Sequence, residues 1–266
     1  MKHTRDTIPA KPAWAVLPEL APDAAYAEHR AARPAAALVN SATATLAKPT
    51  AKEIGSARAV TLSFTNMHEY GDLLVKYLRA RKVVFIDRLN WHLPHIDGME
   101  FDQYDTPQCR WIIIHEFGEV LGGIRLLPTT AQCGTYTYML RDGQRGLLAD
   151  FPTDVMFFEA PLSDTMWEAS RLFITEDVAA HRRIPIQQLL MQQMIIASAQ
   201  LGARHVIGIV PAVWSRWLRR LGLYAVPVGP RFEIGNISSQ AALFSIADQL
   251  QWALGETGTP QIPTGT

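Results

Sequence analysis

The sequence predicts an α/β sandwich around a mainly central, mixed sheet. Two observations predict it. Apolar runs at Trp111 to His115 and Val120 to Leu127, separated by Gly118 and Glu119, have the pattern of a strand hairpin. Further on, a long amphipathic helix is followed by a short apolar strand, a second helix and another strand.

Taken in order, the first segment is rich in Ala and Pro. Prolines at 9, 12, 18, 22, 34 and 49 interrupt helix propagation, and alanines bury little area. We read residues 1–56 as a flexible extension and 57–266 as one folded domain, the alternative being a partner-docking arm through Trp14 and Leu17. Order is expected to begin near Thr61. Leu73, Leu74, Tyr77 and Leu78 recur at helical spacing, so a helix precedes Arg81 and runs on towards Phe85. Trp167 to Thr175 is a further strand.

Pro185 then marks the start of the clearest helix, with Ile186, Leu189, Leu190, Met194, Ala197 and Leu201 on one apolar stripe up to Gly202. His205 to Val210 reads as a buried strand, Trp214 to Leu221 as a helix and Tyr224 to Val228 as a strand.

Composition narrows the class of partner. Lys plus Arg is 25 and Asp plus Glu is 25, so no overall field points to nucleic acid. Hydrophobic content of 48% suits one substantial core. The two cysteines, Cys109 and Cys133, lack the spacing of a zinc site or redox pair and read as free thiols of a reducing compartment. No apolar segment approaches the roughly 20 residues needed to span a bilayer. Charge near Met1 takes the place of a signal peptide's apolar core, so the expectation is a cytoplasmic chain without membrane partners.

Four pieces carry the chemistry: RKVVFIDRLNW from Arg81, EFDQYD from Glu100, GGIRLLPTT from Gly122 and WEASRLF from Trp167. In this order and at these distances they resemble the acyl-homoserine-lactone (autoinducer) synthase family, over roughly Phe64 to Phe232. The resemblance implies a three-layer α/β/α sandwich like that of the GCN5-related N-acetyltransferases, with an acyl thioester held between splayed central strands. It also implies a reaction. The α-amine of S-adenosylmethionine attacks an acyl thioester, and the methionyl carboxylate then displaces methylthioadenosine to close a lactone. S-adenosylmethionine is then a substrate, and neither cofactor nor metal is expected.

Residues matching the family's recurrent positions are Arg81, Phe85, Trp91, Glu100, Asp102, Asp105, Arg125, Glu168 and Arg171. Aromatic faces attract a sulfonium and carboxylates select a cation, so Arg81, Phe85, Trp91, Asp102, Asp105 and Arg125 suit S-adenosylmethionine. Read without the resemblance, Phe85 and Trp91 are ordinary core residues and the acidic pair a solvated loop. Glu168, Asp102 and Arg171 form the catalytic set. Glu168, on a strand that faces the interior, is the expected general base through a water, with Arg171 or Arg81 as charge partner; the alternative is a purely structural ion pair. Arg125, beside Gly122 and Gly123, either buttresses the acidic loop, faces a substrate carboxylate or makes a surface ion pair.

His92, His95 and His115 lack metal-ligand spacing, and no Gly-x-Ser-x-Gly turn is present. The competing reading is a coenzyme A-dependent N-acyltransferase of another amine, or a non-catalytic binder. Acetyltransferases of this fold cradle pyrophosphate on a glycine-rich turn opening the long helix, where this chain reads HRRIPIQQ. That favours an acyl carrier protein over acyl-CoA as donor, with Arg182 and Arg183 facing the acidic carrier. By resemblance the strand HVIGIV lines the acyl pocket, with Met139, Met194, Ile207, Gly208, Ile209 and Trp214 as walls. Family members preferring 3-oxo chains place a threonine where this chain has Gly208, so a donor without a 3-oxo group is expected.

Overall fold

The computed structural model describes Pro49 and residues 51–149, 151–234 and 237–254. Most of the expected extension, 1–48, lies outside the described residues. Regular structure is already present before Thr61: helix α1 (Ala51–Ile54) precedes it, and strand β1 (Arg58–Leu62) contains it. Arg182 donates to Ile54 O at 2.9 Å and Glu116 accepts the N–H of Ser56, which pins this stretch to the domain.

Helix α2 (Leu73–Arg81) follows a 3₁₀ turn and passes directly into a π-helical turn, Lys82–Arg88. A two-stranded ribbon, β2 (His95–Ile96) and β3 (Met99–Glu100), leads to the hairpin β4 (Arg110–Glu116) and β5 (Glu119–Pro128). Then come α3 (Met139–Gln144), β6 (Met166–Ile174), α4 (Ala180–Gln200), β7 (His205–Pro211), α5 (Trp214–Leu221), β8 (Val226–Ile234), β9 (Ile237–Ser245) and α6 (Ile246–Leu254). The main sheet runs β1-β4-β5-β6-β7-β9-β8, and it is mixed because β6 and β7 pair in parallel.

Alternation along β4 explains why that run is apolar throughout. Ile112 and Ile114 face one core with Ile186, Leu190 and Met194 of α4, while Trp111 and Ile113 face a second core with Tyr77 of α2 and Phe85. Two cores on opposite faces of one sheet give the three layers expected. Gly123 lets Tyr77 of α2 pack directly on the sheet: a Cβ there would lie 2.6 Å from the Tyr77 ring and 2.7 Å from Ile112 O.

Two boundaries differ from expectation. Helix α4 begins at Ala180, so Pro185 sits inside it and the turn that opens the helix is the one before His181. β8 runs on to Ile234 as the edge strand, and β9, which inserts between β7 and β8, and α6 were not foreseen. No helix among the described residues is long and apolar enough to cross a membrane.

Candidate active site

On the face of the sheet covered by α2 and α3, three arginines and three carboxylates from separate elements form a buried lattice. Arg81, the last residue of α2, donates Nε to Glu100 and Nη1 and Nη2 to Asp105 at 2.7 and 3.0 Å. Arg125 of β5 grips Asp102 through Nη1 and Nη2 and meets Asp105 at 2.9 Å. Its Nε donates to Ser170 Oγ at 3.1 Å. Arg171 closes the lattice on Glu100 and Asp102, with Nη2 at 3.0 and 2.9 Å. Each guanidinium also lies over an aromatic ring, Tyr77, Tyr104 and Phe85 respectively, at 5.5–5.6 Å.

The acidic loop is therefore not solvated. Asp102 and Asp105 are about 95% buried, 6% and 5% exposed, and the loop folds on its own carboxylates: Tyr104 N–H donates to Asp102 and Asp102 N–H to Asp105. Burial alone would raise both carboxyls, but Arg125 with Arg171 outweighs it at Asp102 and Arg125 with Arg81 at Asp105, holding both below their ordinary range. Trp111 Nε1 adds a bond to Asp105 at 2.9 Å. Of the three readings of Arg125, the buttress is what the structure shows, since the side chain is wholly buried on the loop's acids.

Beside the lattice, Phe85 stacks on Trp91 with centroids 5.2 Å apart and meets Phe173 edge-on. The π-helical turn and Asn90, at φ +57°, bring Trp91 back over Phe85. Phe85 is buried but Trp91 is half-buried, and its Nε1 makes no hydrogen bond among the described residues.

Glu168 meets neither Arg171 nor Arg81, whose Nε and Nη2 donors are spent on the loop's acids. Instead Oε1 accepts the N–H of Leu140 at 2.8 Å and Oε2 that of Met139 at 2.9 Å. These are the first residues of α3, a helix with no side-chain cap at its N-terminus, so its orphan donors take a carboxylate from β6. Burial pushes the Glu168 carboxyl up to about 7, against the pull of those two N–H groups and of Arg125. A carboxylate poised there suits general-base work at neutral pH.

Residues 66–254 match the autoinducer synthase family. The chain belongs to that family. An acyl-homoserine-lactone synthase of Ralstonia nicotianae is 32% identical over 189 residues, 69% of this chain and 87% of the relative. Among solved structures, the coenzyme A-dependent acyl-homoserine lactone synthase BjaI, with SAM and isopentyl-CoA, is similar with a TM-score of 0.59 at 25% identity, covering 77% of this chain and 92% of that one. The acyl-homoserine-lactone synthase LasI gives 0.62 at 25% identity over 79% and 98%.

In this autoinducer synthase the expected acyl-pocket residues are not brought together. Ile207, Ile209 and Met139 belong to the core on the Glu168 side, Met194 and Trp214 to the core under α4 and α5. Strand alternation separates them. Gly208 sits where the parallel pairing of β6 and β7 stops, at Ala169, and a Cβ there would lie 2.6 Å from Ala169 O. The glycine serves close approach of the two strands rather than leaving room.

The basic turn is likewise engaged. Arg182 pairs with both oxygens of Glu116 at 3.0 and 2.9 Å, and Arg183 is buried, donating to the carbonyls of Thr175 and Val178. Neither presents a free charge to a carrier. Ser170 and Asp142 went unmarked in the sequence reading. Ser170 lies two residues after Glu168 and so on its face, a signal that was available; Asp142 fastens Thr137 N–H and Tyr104 OH to α3, a tertiary arrangement with no local signature.

Proposed function

We propose that this chain is an acyl-homoserine-lactone synthase, which acylates the α-amine of S-adenosylmethionine from an acyl thioester and lactonises it to a quorum-sensing signal. The observation that carries the reading is a buried carboxylate of raised basicity, Glu168, on the same sheet face as an arginine-backed aromatic surface formed by Phe85, Trp91 and Arg171. A relative of the same family has been solved with SAM and isopentyl-CoA together, which supports the pairing of S-adenosylmethionine with a thiol-borne chain here.

Glu168 takes the ammonium proton through a water, because its own oxygens face the α3 amides. The freed amine attacks the thioester carbon; an N–C bond forms and the C–S bond breaks to a thiol. The ring-closing carboxylate then displaces methylthioadenosine. The aromatic pair faces the sulfonium and adenine, and the lattice acts as a rigid floor beneath them. S-adenosylmethionine is consumed as a substrate and no cofactor is required.

Acyl carrier protein is the donor we favour, on a different surface from the basic turn. Helix α5 buries Trp214, Trp217 and Leu218 and exposes Arg216, Arg219 and Arg220, a face that suits an acidic carrier. The enzyme acts in the cytoplasm. Purified full chain, given S-adenosylmethionine and a panel of acyl-carrier and acyl-CoA donors, should release methylthioadenosine and a lactone, with carrier thioesters giving the higher kcat/KM. No methylthioadenosine from any donor would overturn the assignment.

A further inference from the structure

The three arginines of the lattice are not equally spent. Arg81 and Arg125 each donate through Nε and both terminal nitrogens. Arg171 donates through Nε and Nη2 only, to Glu100 and Asp102. Its Nη1 makes no hydrogen bond among the described residues and is not sealed from solvent, on a side chain that is 7% exposed.

The backbone is bent to achieve this. The register of β5 with β6 slips between Gly123 and Arg125, and Arg171 adopts φ +57°, left-handed and unfavourable for a residue with a side chain. The slip lets neighbouring residues, Ser170 and Arg171, both reach the same lattice, where simple alternation would send them to opposite faces. Strain of this kind persists where the surrounding structure fixes it, and it clusters at functional sites.

We infer that Nη1 of Arg171 seats the carboxylate of the amino-acid substrate end-on; this rests on the reading of the site given above. The Nε–Nη2 edge, which would grip a carboxylate by both oxygens, is already turned to Glu100. One nitrogen holds one oxygen. The other oxygen stays free to attack the γ-carbon: a C–O bond forms, the C–S bond breaks with its electron pair going to sulfur, and methylthioadenosine leaves neutral. No proton moves, because carboxylate and sulfonium charges cancel. Arg171 is thus a substrate-contacting residue that orients the nucleophile of the second step without occupying both of its oxygens.

Calorimetry on the full chain tests this with S-adenosylmethionine, its decarboxylated analogue and methylthioadenosine. The wild type should prefer the carboxylate-bearing ligand by roughly tenfold, the worth of one charge-assisted hydrogen bond. In Arg171→Gln that preference should fall to near unity while methylthioadenosine affinity is kept. Should the glutamine variant unfold, Arg171→Lys, which keeps a cation beside Glu100 and Asp102, is read on the same ratio. Given an acyl donor, Arg171→Lys should also accumulate the acylated but unclosed sulfonium, whereas a purely structural role would slow both steps together. A wild-type ratio in the variant, or a wild type indifferent to the carboxylate, overturns the inference. A wild type that binds neither S-adenosylmethionine nor methylthioadenosine overturns instead the function proposed above.

Discussion

The carboxylate of Glu168 meets the backbone N–H of Leu140 at 2.8 Å, across 28 residues of chain. The group expected to do proton transfer also holds the start of α3 in place, so its substitution has two separable effects.

Glu168→Gln should lower turnover about 100- to 10,000-fold, the usual worth of general-base assistance. Its amide also turns an NH₂ towards one of the two α3 N–H groups. That unmatched donor costs about 1–3 kcal/mol, read as a lower denaturation midpoint. A variant with near wild-type turnover would leave Glu168 a structural residue only.

Activity should rise with pH through about 7 as Glu168 ionises, and the limb should vanish in Glu168→Gln. Stability runs the other way. The folded value lies above the ordinary 4.5, so the contribution is fully present below that pH and is lost as pH rises through about 7. Denaturant titrations of both proteins from pH 4 to 8 should diverge over that window.

Asp102→Asn should cost about 3–5 kcal/mol, because it leaves Arg125 and Arg171 buried with a surplus positive charge. Chemical denaturation reads this directly. Trp91→Ala, which is outside the lattice but loses the stack on Phe85, should cost less, about 1–2 kcal/mol, and weaken S-adenosylmethionine binding in calorimetry far more than the KM for the acyl donor.

Gly208→Thr should not install a preference for 3-oxo chains. Its Cβ would meet Ala169 O at 2.6 Å, so the strands must part, with a loss of about 1–3 kcal/mol. Mass spectrometry of lactones from cells carrying the wild type should show a product without a 3-oxo group as the dominant species.

A chain starting at Ala51 should keep its thermal midpoint. One starting at Arg58 forfeits the bonds of Ile54 with Arg182 and of Ser56 with Glu116, and calorimetry should show a lower midpoint.

Hydrophobic period made β4, β5, α4 and α5 legible, because each buries a face whose spacing is written locally. Pro185 misled, since proline is commonest at a helix start yet is tolerated one turn in. The residue types of the site were visible as motifs, but their pairings were not: Arg171 reaches Glu100 across 71 residues, and Glu168 exchanges an expected arginine for a helix terminus. The split of the acyl-pocket residues was readable in principle, because Ile207, Gly208 and Ile209 must alternate on a strand.

Arg81, Arg125 and Arg171 cancel the charges of Glu100, Asp102 and Asp105 at contact distance. Seen from beyond a Debye length, such a cluster has almost no monopole. Salt should therefore leave the capture rate of the sulfonium substrate nearly untouched, and recognition must wait until the molecule is already in contact with the aromatic pair and the floor beneath it. Discrimination at this floor is a matter of fit after arrival, with no electrostatic funnel to hasten it.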